Sequence, residues 1–124
     1  MPKYFTVDEA NAALPTLEPL VERLVHLYQM IADKQAHILP AMQKAGGNGG
    51  NRDASQAGLW MGEMEALIRE IQSVGVVVKD ARVGLLDFPA WREEREVYLC
   101  WRYGEQTVAY WHEVDSGFAG RHPL

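Results

Sequence analysis

VYLCWRYGEQTVAYWHEVDSGFAGRHPL, residues 97–124, is the stretch on which the fold turns. Valine, leucine, tyrosine and tryptophan crowd residues 97–103 and 106–112, the composition of β-strands, and Gly104-Glu105 between them fits a two-residue hairpin turn. That turn aligns Val97 with His112, Leu99 with Tyr110 and Trp101 with Val108, and places Tyr98, Cys100 and Arg102 on the other face opposite Trp111, Ala109 and Thr107. Both faces are apolar along most of their length. Such a hairpin needs cover on both sides, from helices on one and from the C-terminal tail or another subunit on the other.

Working outward, residues 76–78 and 85–88 read as two further strands, with turns over 80–84 and 89–96. Before Gly75 the period changes from two to 3.6. Trp60, Met64, Leu67, Ile71 and Val74 recur at four and three, the seam of a helix over 54–74. Residues 45–53, with four glycines, are a loop, and the glycines forbid a helix there. From Pro15 to Lys44, Leu17, Leu20, Val21, Leu24, Leu27, Tyr28, Ile31, Ile38, Leu39 and Met42 form one apolar stripe. Thr6 and Glu9 have the spacing of a capping box, so a short helix is expected over 7–13 and Pro15 is expected to end it.

The expectation is an α+β fold in one domain, residues 1–124. A short helix and a long antiparallel, coiled-coil-like helical hairpin occupy 1–74, and a small antiparallel sheet of three or four strands with a C-terminal tail occupies 75–124. Leu39 and Met42 extend past the partner helix, which predicts a homodimer.

Twelve basic against seventeen acidic residues give a net charge of -5, and no Lys/Arg run exceeds two. That field disfavours nucleic acid as a partner. One cysteine excludes an intrachain disulfide. The N-terminus lacks the apolar segment of a signal peptide and no 18 apolar residues run together, so neither export nor membrane insertion is expected and the location read is cytoplasmic.

YFTVDEAN at 4–11, GVVVKD at 75–80, GLLDFP at 84–89, VYLCWRYGE at 97–105 and YWHEVDSGFAGRHPL at 110–124 together resemble a bacterial family of unknown function, domain-of-unknown-function family 2203. The resemblance implies a small bacterial cytoplasmic protein of this helix-then-strand layout and brings no chemistry with it.

The chemistry must come from the residues. His26 and His37 lie three turns apart on the solvent side of the long helix, too distant to share a metal. Glu22 and His26 lack the inward carboxylates of a di-metal bundle. The glycine loop links two helices and lacks the strand and the Lys-Ser/Thr of a phosphate loop. Cys100 has Arg102 two residues on to stabilise a thiolate, but sits mid-strand, where cysteine serves as a small apolar filler.

His112 at a strand end and Asp115 in the following loop can bind one divalent ion such as zinc or manganese, joined by Asp87 or Asp80 from neighbouring turns, with Arg121 and Arg102 available for an anionic group. The packing alternative has Asp115 order the glycine turn and pair Arg121, with His112 hydrogen-bonded behind Val97. Two functions follow: a homo-oligomeric assembly or protein-interaction module, which is preferred, and a small metal-dependent hydrolase at the end of the last strand.

Overall fold

Thr6 and Glu9 form the expected capping box: the Thr6 amide donates to Glu9 Oε1 at 2.9 Å and the Glu9 amide to Thr6 Oγ1 at 3.1 Å. They open α1, Val7–Lys44. The computed structural model describes residues 3–44 and 52–124, with side chains over 3–36 and 55–124. Of the loop expected over 45–53, residues 45–51 lie outside the described residues, whereas Arg52 and Asp53 already belong to the second helix; the side chains of His37, Ile38, Leu39, Pro40 and Met42 also lie outside them, and with them the argument for dimerisation drawn from Leu39 and Met42.

The helix does not end at Pro15, which corrects the expected short first helix. Proline 15 removes the amide that would reach the Asn11 carbonyl, a cost of about 3 kcal/mol in a helix interior. Ala10, Leu14, Leu17, Val21, Leu24, Leu27 and Ile31 are nonetheless buried at spacings of four and three straight through the proline. Each large apolar side chain among them gains roughly 1.5–3 kcal/mol on burial, so the stripe outweighs the missing bond. The rings of Pro15 and Pro19 both face solvent.

α2, Arg52–Ser73, returns antiparallel to α1. Arg23 grips Glu63 with two bonds of 2.7 and 3.1 Å, while further along α1 the Met30–Lys34 turn meets Trp60, earlier in α2. Of the predicted seam, Ile71 is fully buried and Trp60, Met64, Leu67 and Val74 are half-buried. No helix of the described residues is long and apolar enough to cross a membrane.

The sheet is a meander of five antiparallel strands in sequence order: β1 Val77–Asp80, β2 Leu85–Arg92, β3 Arg95–Arg102, β4 Tyr110–Glu113 and β5 His122–Pro123. Five strands exceed the three or four expected, because residues 122–123 of the tail pair with β4 as β5; three further differences concern strand extent, turn and register. First, β2 continues through Pro89 instead of turning there. The Phe5 amide donates to the Pro89 carbonyl at 2.7 Å. Since N and C=O of one strand residue face the same side, the proline's missing N–H points to the edge that β1, ending its pairing at Asp87, leaves open. Second, β2 and β3 form a tight hairpin through Glu93-Glu94, with φ of 51° and 63°. Two positive φ values make a type I′ turn, normally the province of Asn and Gly, so the sequence carried no glycine signal for it.

Third, β3 pairs with β4 one residue out of the expected register: Val97 faces Glu113, Tyr98 faces His112, Leu99 faces Trp111 and Cys100 faces Tyr110. Residues 103–109 form a loop. Glu105 turns back on the end of β3, its carbonyl accepting from Trp101 Nε1 at 3.0 Å and its carboxylate from the Arg102 amide at 2.7 Å. Asn11 of α1 then takes over the backbone of Val108, accepting from its amide at 2.7 Å and donating to its carbonyl at 3.5 Å. A helix side chain thus replaces the strand partner that residues 106–108 would otherwise need.

Alternation along β2 and β3 sorts the sheet into two faces. Leu86, Phe88 and Ala90 pair with Trp101, Leu99 and Val97, and all six are buried in the core with α1. The outer face carries Leu85, Asp87 and Pro89, then Tyr98, Cys100 and Arg102, then Tyr110 and His112. Arg121, just after the 3-10 turn Phe118–Gly120, lies over Tyr110 on this face, while β5 continues the sheet beyond β4 and Leu124 after it donates its amide to the Ala109 carbonyl at 2.9 Å.

Candidate metal centre

Asp87 of β2, Cys100 of β3 and His112 of β4 meet on this outer face. Asp87 stands directly opposite Cys100, and His112 lies one diagonal step away, opposite Tyr98. Their ligating atoms all lie within 4.8 Å of one another. Asp87 is 1% exposed, Cys100 0% and His112 2%. The register decides this meeting. With Val97 facing His112, the histidine would point into the core, whereas the observed shift of one residue turns it onto the face of Cys100.

The hydrogen bonds fix the protons. His112 Nδ1 lies 2.7 Å from the Glu113 carbonyl oxygen, which can only accept, so Nδ1 carries a hydrogen. Nε2 lies 2.9 Å from Asp87 Oδ1, and those two atoms share one further proton. Burial pushes the Cys100 thiol up to about 12, with the adjacent Asp87 carboxylate adding to the shift, so the sulfur holds its proton at neutral pH. A Cys-His-Asp nucleophile is therefore not assembled: both imidazole nitrogens are engaged elsewhere, and the thiol faces the carboxylate instead of a base. The same arrangement suits a cation. Anchoring of Nδ1 by a backbone carbonyl is how a ligating histidine is oriented to present Nε2, and a bound divalent ion removes the proton from a coordinating thiol.

Aromatic side chains wall the trio. The Tyr98 ring lies 5.6 Å from the His112 ring, tilted by 48°, and carries the Lys79 ammonium at 4.8 Å on its own face. Tyr110, the neighbour of Cys100, carries the Arg121 guanidinium at 3.9 Å, and Phe118 meets the same guanidinium at 4.5 Å. Arg121 is fixed by Glu105, one nitrogen reaching both carboxylate oxygens at 2.8 Å, while its buried Nε has no hydrogen-bond partner among the described residues.

Of the residues singled out from sequence, His112 and Asp87 come together and Asp115 does not join them: it is exposed in the turn after β4. Asp80 is tied to Arg82, which holds its carboxyl below the usual range. Arg102 is exposed at the end of β3 beside Phe118. Arg121 pairs with Glu105 instead of Asp115. Cys100, read as apolar filler, is the member that sequence reasoning missed. Its signal was present in the pairing of alternate strand positions but required the register.

No curated protein and no solved structure matches this chain. The model of a family described as "Uncharacterized conserved protein (DUF2203)" matches residues 3–124, and with nearly every residue inside that match the chain belongs to the DUF2203 family.

Proposed function

We propose that this protein binds one divalent transition-metal ion, zinc by its ligand set, through Asp87 Oδ1, Cys100 Sγ and His112 Nε2. The observation that carries the reading is the convergence of three different ligand types, one from each of three adjacent strands, in a buried site where the histidine is already oriented by a carbonyl. Carboxylate, thiolate and imidazole are all zinc ligands, with bonds of about 2.0–2.3 Å that separate tetrahedral ligand atoms by roughly 3.3–3.6 Å. The 2.9 Å contact between His112 and Asp87 needs only a few tenths of an ångström of opening to admit the ion in place of the shared proton.

Three protein ligands leave a fourth position for water or substrate, the pattern of catalytic rather than structural zinc. The chemistry it supports is hydrolysis by a metal-activated water, which keeps the metal-dependent reading and moves its centre from Asp115 to Cys100. Calorimetric titration of chelator-treated protein with zinc tests it. One ion per chain is expected for the wild type, with affinity reduced by at least tenfold in Cys100→Ser, a near-isosteric change that leaves the Asp87–His112 pair intact. Absence of binding by the wild type refutes the centre.

A self-assembling module is a second reading, supported by Leu59, Met61 and Tyr28, large apolar residues exposed along the hairpin. Sedimentation as a monomer at micromolar concentration removes it.

A further inference from the structure

One step along the strands from Asp87 and Cys100, on the same outer face, Leu85 pairs with Arg102. These two residues, with Asp80, Arg82, Val83 and Phe118, line a cavity of about 210 Å³. We infer that this cavity is a subsite for a small oxyanion, the carboxylate or phosphate group of a ligand, held by Arg102 and by the free edge of Arg82.

The charges favour an anion. Asp80 is the one acidic lining residue, and Arg82 already occupies it, donating through its amide at 2.9 Å to one oxygen and through its guanidinium at 3.0 Å to the other. Arg102 forms no ion pair among the described residues; its guanidinium rests 5.9 Å from the Phe118 ring. With two arginines against one aspartate that feels both of them, the lining carries a net positive charge of one in a chain whose net charge is -5. Leu85, Val83 and Phe118 supply apolar walls beside the two guanidinium groups. A guanidinium presents a planar fork that matches two oxygens of a carboxylate or phosphate. The volume holds a phosphate or a short dicarboxylate.

Position gives the subsite its purpose. Arg102 is two residues from Cys100 along β3, a rise of about 6.8 Å, so an anion held there lies one step along the sheet face from the centre. This step rests on the zinc reading above, whereas the anion site itself does not.

The test is a titration of chelator-treated and zinc-loaded protein with inorganic phosphate and, separately, with malonate, followed by amide ¹H–¹⁵N shifts. Saturable shifts at Leu85, Arg102 and Phe118 are expected in the chelator-treated protein, with affinity falling at least about tenfold in Arg102→Gln, an exposed substitution that spares the fold. The two probes distinguish carboxylate from phosphate as the preferred group. Shifts that do not saturate, or that are unchanged in Arg102→Gln, overturn the subsite even if zinc binds. Arg102-dependent binding in a protein that takes no zinc upholds the subsite and removes only its link to the centre.

Discussion

A methyl group added at Gly84 has nowhere to go. The residue sits at φ 69° in the turn before β2, and an ideal Cβ there would lie 2.7 Å from both the Tyr103 Cβ and the Val21 Cγ1. One of those atoms belongs to the first residue after β3 and the other to the buried stripe of α1, so the glycine lets sheet and helix approach each other. Backbone strain and overpacking each cost about 1–3 kcal/mol. Gly84→Ala is expected to lower unfolding stability by roughly 2–5 kcal/mol in urea, whereas the same change at Gly58, whose added Cβ meets nothing, is expected to raise it by up to about 1 kcal/mol. Cys100 makes a different point at the same scale. A thiol pushed up to about 12 and fully buried is inert toward alkylation, and only a bound cation makes its sulfur a ligand at neutral pH.

Among the elements, α1 shows which local rules tertiary packing overrides. Pro15 lies on the exposed side of a helix whose buried side passes it unbroken. Pro15→Ala should therefore restore a backbone hydrogen bond without disturbing the core, raising stability by about 1–3 kcal/mol in thermal or urea unfolding; a loss of stability would show that the ring is needed. The capping box, the helix stripes over their described residues apart from the exposed Tyr28, and the switch from helical to strand periodicity at Gly75 were legible because each depends on residues within a turn or two of one another. The extent of β2 was not legible, since Pro89 is tolerated where β1 has ended its pairing at Asp87 and only the Phe5 amide, which needs the Pro89 carbonyl and no N–H, meets that edge. Nor was the β3–β4 register. Asn11, remote in sequence, seizes Val108 and shortens the last long strand, so the Gly104-Glu105 turn does not close the hairpin that its composition suggests.

At the scale of the molecule, the helices cover one face of the sheet, and on the other face the polar trio is buried beside Tyr98 and Tyr110, with Arg121 lying over Tyr110. Sequence reasoning grouped His112 with its chain neighbour Asp115. The fold groups it with Asp87 and Cys100, from two other strands, and no local spacing encodes that grouping. An ion there would tie three adjacent strands together and, binding only the folded chain, would stabilise it by about 4 kcal/mol at a thousandfold excess over its dissociation constant. The most direct test is the absorption spectrum of the cobalt(II)-substituted protein. An intense near-ultraviolet thiolate-to-cobalt band with visible bands of tetrahedral strength is expected, with loss of the thiolate band in Cys100→Ser. A weak octahedral spectrum indistinguishable between wild type and Cys100→Ser would contradict it.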